Sequence, residues 1–350
     1  MAYTEVLTGH TLTVEQWDSQ LFEEEIGRLW WKTSGLMGTA IDSCINVKED
    51  LLKKAGDAIT IAHIGQLQGG KVTGNSTGIG NEGRVDFFGQ RITVDNVRFL
   101  VRVDDIPMTQ QRVDFDVLQA VKRRLADAAA KDLDEEITTV LSGTSTARVR
   151  GRYLYGAVDS NWNATHATAL TNVDNTADQL TTNMIRIAKR KALIPINATE
   201  IMTPIKVVNG KNYEEWFDFV AHPYGTRDMF DSDAAWKNAQ LNIPPSANRE
   251  SPIFTGSSFK GAYDGVLIHE YHRINLVSST IQVAHNFLLG AQAAAVVWAQ
   301  RSKFGEEFAD IGHRVSYEQH EIRGVSKIYY DLTTQEDQGI VHVFSAAVAD

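Results

Sequence analysis

The stretch TQQRVDFDVLQAVKRRLADAAAKDLDEEITTVLSG, residues 109–143, constrains the fold of this chain more than any other. Val113, Val117, Val121, Leu125 and Ala128 recur every three or four residues, and Leu133, Ile137, Val140 and Leu141 resume the series. That is the spacing of one helix face. Thr109 can cap the start, and Gly143 stands where helices stop. The pattern predicts a helix over 110–142, on the order of 45 Å long at 1.5 Å per residue, which is long for a compact domain. Val117, Val121 and Leu125 should face a core. Lys122, Arg123, Arg124, Asp127, Lys131, Asp134 and Glu135 should form a solvated face laced with local pairs, and the run DLDEE should be exposed with it.

Ahead of this helix, DAITIAHIGQLQ and RVDFFGQRITVDNVRFLVRV flank a glycine-rich stretch. The second flank carries Val85, Phe87, Ile92, Val94, Val97, Phe99, Val101 and Val103, a period of two rich in β-branched and aromatic residues, hence strand. Between the flanks, Gly78, Gly80 and Gly83 spell G-x-G-x-x-G. A dinucleotide cradle needs a strand running directly into that turn and a helix leaving it. Here the upstream strand ends too early and a strand follows, so the motif lacks its context. The expected structure is an extended β-hairpin over 57–104 with its tip at 69–83. Six glycines lie in that tip, with only Val72 and Ile79 as apolar anchors. Glycine supplies freedom at an entropic cost, so the tip should be mobile unless something outside the chain holds it.

Residues 1–56 read as an irregular arm with one helical piece beginning at Thr13. The adjacent Trp30 and Trp31 are too much aromatic surface to leave in water, so they should pack either on this chain or on a neighbouring one. After the long helix, residues 143–178 read as loop. ADQLTTNMIRIAKRKAL reads as a helix ended by Pro195. TEIMTPIKVVNGKNYEEWFDFVA reads as a hairpin turning at Asn209-Gly210, and DSDAAWKNAQ as a short helix. GVLIHEYHRI and INLVSST are expected strands, FLLGAQAAAVVWA an expected buried helix, and SYEQHEIRGVSKIYYD and GIVHVFSAA two closing strands. The fold class is α+β.

The chain of 350 residues, 43% hydrophobic and 22% charged, can bury a sizeable core. Its net charge of −10 and lack of an obvious basic run argue against a free-standing nucleic-acid binder. The single Cys44 forms no internal disulfide and fits a reducing compartment. No stretch reads as a signal peptide or membrane span, so a soluble protein made in a cytoplasm is expected. HEYHRI approaches the H-E-x-x-H zinc pattern, but the second histidine would have to stand where Arg273 is. His269 and Glu270 would also face opposite sides of a strand. His285 is a conceivable extra ligand. Cys44 lacks a basic neighbour in sequence to activate it. No catalytic, cofactor-binding or metal residues are therefore assigned, and no cofactor is expected. A cytoplasmic α+β enzyme or ligand-binding protein without a recognisable motif is the alternative.

Taken in order, VKEDLLKKAGDAITI, VTGNSTGIGNEGRVDFFGQRITVDNVR, VDFDVLQAVKRRLADAAAKDLDEEI, GAYDGVLIHEYHRI, NFLLGAQAAAVVWAQ and IRGVSKIYYD with DQGIVHVFSAA form a collinear set. The set resembles the major capsid proteins of tailed bacteriophages with the Hong Kong 97-type fold, in the branch typified by the coliphage N-four. It covers most of residues 12–345 and is weakest across 144–194. The resemblance implies an N-terminal arm at 1–56 and the extended loop at 57–104. It implies a peripheral domain with the spine helix at 105–195, a mainly axial domain at 196–335, and a C-terminal strand at 336–350 returning to the peripheral domain. It further implies a structural subunit of the virion that assembles, in the host cytoplasm, into pentamers and hexamers of an icosahedral shell. That shell would enclose double-stranded DNA without sequence-specific binding. Gly69, Gly70, Lys71, Val72, Gly74, Gly78, Gly80 and Gly83 would then be inter-subunit contacts, with Trp30 and Trp31 as candidates from the arm. A separate scaffolding protein and a portal are implied partners, and a decoration protein is a further one the resemblance allows.

Overall fold

The computed structural model describes residues 29–53, 56–64, 67, 69–85, 87–112, 117–144, 148–194, 202–209, 212–241, 258–329 and 336–349. The expected helix from Thr13 and the residues Val113, Pro195 and Gly210 lie outside them.

In chain order, α1 (Trp30–Thr33), β1 (Met37–Gly38) and β2 (Ile45–Lys48) precede a two-stranded ribbon, β3 (Ala58–Ile64) and β4 (Phe87–Thr93). β5 (Asp95–Val103), α2 (Ile106–Gln111) and the 26-residue α3 (Val117–Ser142) follow. Next come β6 (Tyr153–Tyr155), α4 (His166–Thr171), α5 (Thr182–Leu193), β7 (Ile205–Asn209) and β8 (Asn212–Ala221). Then come α6 (Pro223–Ser232), α7 (Ala234–Leu241), β9 (Phe259–Tyr263), β10 (Val266–Glu270), β11 (Leu276–Ser278) and β12 (Gln282–Leu289). β13 (Ala294–Ala309), β14 (Arg314–Lys327) and β15 (Ile340–Ala346) complete the order. No described helix is long and apolar enough to cross a membrane.

Two larger sheets organise these elements. One runs β1-β2-β13-β14-β5, and α3 lies across its β14 and β5. The other runs β6-β15-β12-β8-β10-β9, with β11 beside β12 and β7 beside β8. The main core fills the junction of the two sheets. There Leu133, Ile137 and Leu141 of α3 meet Trp31, Ile45, Phe287 and Val296. A second core lies under α5, whose Met184, Ile185 and Ala188 pack on Phe217, Phe219, Val341 and Val343. Thr181 caps α5 by accepting from the Met184 N–H, and Asp233 caps α7 through the N–H groups of Ala235 and Trp236.

Several sequence expectations change. The helix pattern from 110 is broken into α2 and α3, with Thr109 inside α2 and not at a cap. Leu125 is buried, but its companions inside are Ala126, Ala129 and Ala130, whereas Ala128 is exposed. The DLDEE run is not a solvated face: Asp134 is buried, and Asp132 and Glu136 reach a buried Arg323. Residues 143–178 contain β6, whose three residues are all buried, as well as α4. The run FLLGAQAAAVVWA is two strands, not a helix. It forms the end of β12 and the start of β13, with Gln292 at φ 57° between them. A short run buried on both faces looks apolar throughout, so period alone does not separate it from a buried helix.

Strand pairing joins segments distant in sequence. β3 and β4 form the hairpin, with Ala58 opposite Thr93 and Ile64 opposite Phe87. β5 leaves that ribbon and pairs antiparallel with β14, Val103 opposite Val315. β13 and β14 join the sheet under α3, while the C-terminal β15 lies between β6 and β12.

Candidate interaction surfaces

The root of the β3–β4 ribbon is anchored. Ile92 is buried with Ala295, Val297 and Ile328, and Ile59, Ile61 and Val94 pack beside it. Gln90 donates to Ser326 Oγ at 3.0 Å and to the Lys327 carbonyl. Gly324 is required here, because the Thr93 carbonyl oxygen passes 2.1 Å from where a Cβ would stand.

The far end of the ribbon is the opposite case. Residues 69–82 are all exposed, Ile79 at 85%. Gly70, at φ 80°, lies so close to Gly83 that an added Cβ would sit 2.7 Å from the Gly83 nitrogen, which closes the neck of the tip. Gly69, Gly74 and Gly80 also hold positive φ. The tip's hydrogen bonds are local. Asn81 donates its N–H to the Gly78 carbonyl at 3.2 Å and its side-chain amide to the Thr77 carbonyl at 3.0 Å. The Gly80 N–H donates to the Glu82 carboxylate at 2.8 Å. Lys71 and Val72 are exposed, Val72 at 36%, and Leu67 and Phe87 at the neck are exposed apolar residues. Gly78, Gly80 and Gly83 therefore belong to a hairpin tip followed by strand β4, the geometry that denies a dinucleotide its helix.

The tryptophans behave differently from the tip. Trp31 is fully buried in this chain's own core. Trp30 stacks on Tyr271 at 4.2 Å between ring centroids, and its N–H donates to Asp134 Oδ2 at 3.1 Å. Both have packing partners within the chain, and Trp30 keeps part of its surface exposed. Burial pushes the Asp134 carboxyl up to about 6, against the pull of the Trp30 and Trp31 N–H groups and Arg273.

The histidines form internal pairs. His269 Nε2 lies 3.4 Å from Asp218 Oδ1, and the buried Cys44 thiol donates to Asp218 Oδ2 at 3.2 Å. Burial and the neighbouring Asp218 push that thiol up, the opposite of activation. Glu270 pairs with Lys260 at 3.4 Å and accepts from Thr226. Among the described residues, no group of three or more His, Cys, Asp or Glu side chains is arranged to hold a metal.

Two buried polar networks went unread in the sequence. In one, the Lys327 ammonium donates to Asp337 Oδ1 at 2.9 Å, His342 Nε2 lies 3.0 Å from Asp337 Oδ2, and His342 Nδ1 lies 2.7 Å from His285 Nε2. Tyr153 donates its hydroxyl to the same carboxylate at 3.1 Å. Burial opposes the Asp337 charge, but Lys327 and His342 outweigh it and hold the group at about 2. Burial and Lys327 together lower His342 to about 4, and burial takes His285 well below its ordinary value. In the other network, Arg323 of β14 is fully buried. Its guanidinium meets Glu136 at 3.0 Å and also Asp132 and Glu321. The signal was available: strict alternation puts Gln319, Glu321 and Arg323 on the same side of β14 as Val315 and Tyr317. These networks weld α3 and the sheets together.

Among curated proteins none matches the chain. The fold is similar to that of the cyanophage Pam1 capsid asymmetric unit, at 23% identity, covering 100% of this chain and 97% of that one with a TM-score of 0.80. It is also similar to the capsid of Ralstonia phage GP4, at 22% identity, covering 91% of each chain with a TM-score of 0.72. The head structure of Helicobacter pylori bacteriophage KHP40 matches at 15% identity, covering 89% of this chain and 91% of that one with a TM-score of 0.68. The family model described as phage capsid protein matches residues 5–349. The chain belongs to the phage capsid protein family: it is a structural subunit of a tailed-phage icosahedral capsid, its fold of the Hong Kong 97 type.

Proposed function

We propose that this subunit closes pentamers and hexamers into a shell around double-stranded DNA, and that the tip at 69–83 is its interlocking arm. The observation that carries the proposal is the contrast along one ribbon: a root fixed into β14 and a tip whose hydrogen bonds stay local. A segment whose hydrogen bonds are all local gains order on a neighbour, where the ordering entropy is offset by new contacts. In this reading α3 with β5, β13 and β14 is the peripheral part. The eight-stranded sheet with α5 and α6 is the axial part. A scaffolding protein, a portal and assembly in the host cytoplasm belong to the same reading.

The test is assembly itself. Purified protein is expected to sediment as large closed particles visible by negative-stain microscopy. A chain that stays monomeric across salt and pH, and whose melting temperature is raised by a small metabolite, would instead favour a ligand-binding role.

A further inference from the structure

The chain is acidic overall, yet its charge is unevenly laid out around α5. Between residues 148 and 194 there are seven Lys and Arg against three Asp. Asp159 is shared by Arg150, at 2.8 Å, and Lys191, at 2.5 Å, so the two cations are only half neutralised. Lys189 meets Asp264 at 3.6 Å. Arg186 and Arg190 are exposed, and no carboxylate lies within ion-pair distance of either among the described residues. They stand four apart and so share one face of the helix, where like charges repel. The helix dipole favours cations in the last turn, which explains Arg190 and Lys191 but not Arg186.

The other end of α5 is acidic. Asp233 accepts from the Thr182 N–H at 2.9 Å, at the start of the helix. Beside it is an open cleft of about 500 Å³ whose polar lining is Asn175, Gln179, Arg227, Asp228, Asp231 and Ser232. Of its charged lining, Asp228 and Asp231 stand against Arg227. Asp228 is paired with Arg227 at 2.8 Å, whereas Asp231 is exposed with no cation in ion-pair range among the described residues. From Thr182 to Arg190 the helix rises on the order of 12 Å, so the basic residues of α5 stand apart from the acidic residues that flank its start.

We propose that the α5 face bearing Arg186 and Arg190 docks at the Asp231 cleft of a second copy of this chain, head to tail around a ring. The inference rests on the capsid reading above and names a contact within it. Copies of a chain with charge −10 repel one another except where basic surface meets acidic surface. A contact between two different patches of the same chain is heterologous, the kind that closes into rings. Electrostatic complementarity of this kind sets orientation and speeds encounter.

The test uses charge reversal in the full chain: Arg186→Glu with Arg190→Glu, Asp231→Arg, and the two sets combined. All three positions are exposed, so the unassembled subunits should melt as the parent does. Each reversal alone is expected to lower the fraction sedimenting as shells by about tenfold, and the combination to restore it to within about twofold, because complementarity returns with its sign exchanged. Reversal variants that assemble like the parent overturn the proposal, as does a combination that rescues nothing. Shells of normal yield that hold less nucleic acid would overturn it too, by assigning the basic face to the packaged DNA. A parent that builds no particles at all defeats the capsid reading itself, which is a different result from parent shells with indifferent variants.

Discussion

His285 and His342 are histidines kept neutral by the fold. An unfolded histidine titrates near 6.5, whereas His342 is held at about 4 and His285 well below its ordinary value, in both cases with burial as the largest cause. As pH falls, the unfolded chain therefore takes up protons first. The stability these residues contribute is fully present above about pH 6.5 and is lost as pH drops toward the folded values. His342, held at about 4, contributes roughly 2 kcal/mol of that loss between pH 6.5 and 5, and His285 adds to it in the same direction. His285→Gln keeps a hydrogen-bonding group toward His342 but cannot protonate. Urea denaturation of the unassembled subunit should show a smaller loss between those two pH values than the parent's. An unchanged loss would mean that the titration sits elsewhere. Asp134 works with the opposite sign: its folded value of about 6 means stability declines as pH rises through 4 to 6. That contribution is common to parent and variant and drops out of the difference.

At the scale of elements, α3 shows what the sequence can and cannot say. Its existence and its Leu125 face followed from spacing alone. Leu125→Ala should cost about 2–5 kcal/mol, because the position is buried against Phe304, Val315 and Tyr317. Arg123→Ala, at an exposed position, should cost under about 0.5 kcal/mol. Equal melting temperatures for the two would contradict the assignment of faces. The polar partnership of α3 with β14 was not legible, because a charge in a helical pattern is ordinarily assigned to water. Nothing within residues 109–143 signals that an arginine about 190 residues later will be buried against Asp132 and Glu136. Arg323→Ala should cost about 3–5 kcal/mol, since it leaves Asp132, Glu136 and Glu321 facing one another without their cation. The strand pair β12–β13 escaped for a related reason: alanines and valines buried on both faces carry no period to read. The tip was legible because its six glycines and lack of apolar residues leave nothing for a core to hold.

For the whole molecule, that same tip separates folding from assembly. A variant replacing Gly70 to Glu82 with a short Asn-Gly turn removes only Val72 and Ile79 as large apolar side chains, and Ile79 is 85% exposed already. Little hydrophobic burial is lost. A shorter connection between β3 and β4 lowers the closure entropy by a few tenths of a kcal/mol to about 1. The root is untouched, because Ile92, the Gln90 bonds and the passage of Thr93 over Gly324 all lie outside the deletion. The unassembled variant should therefore melt near the parent's temperature. In a shell the missing contact is repeated at every symmetric interface, so a small loss per subunit becomes large for the particle. The variant is expected to yield folded protein that fails to sediment as stable particles. Unfolding of the variant would make the tip part of the fold, and shells as stable as the parent's would remove it from the assembly; either result refutes the role argued for it.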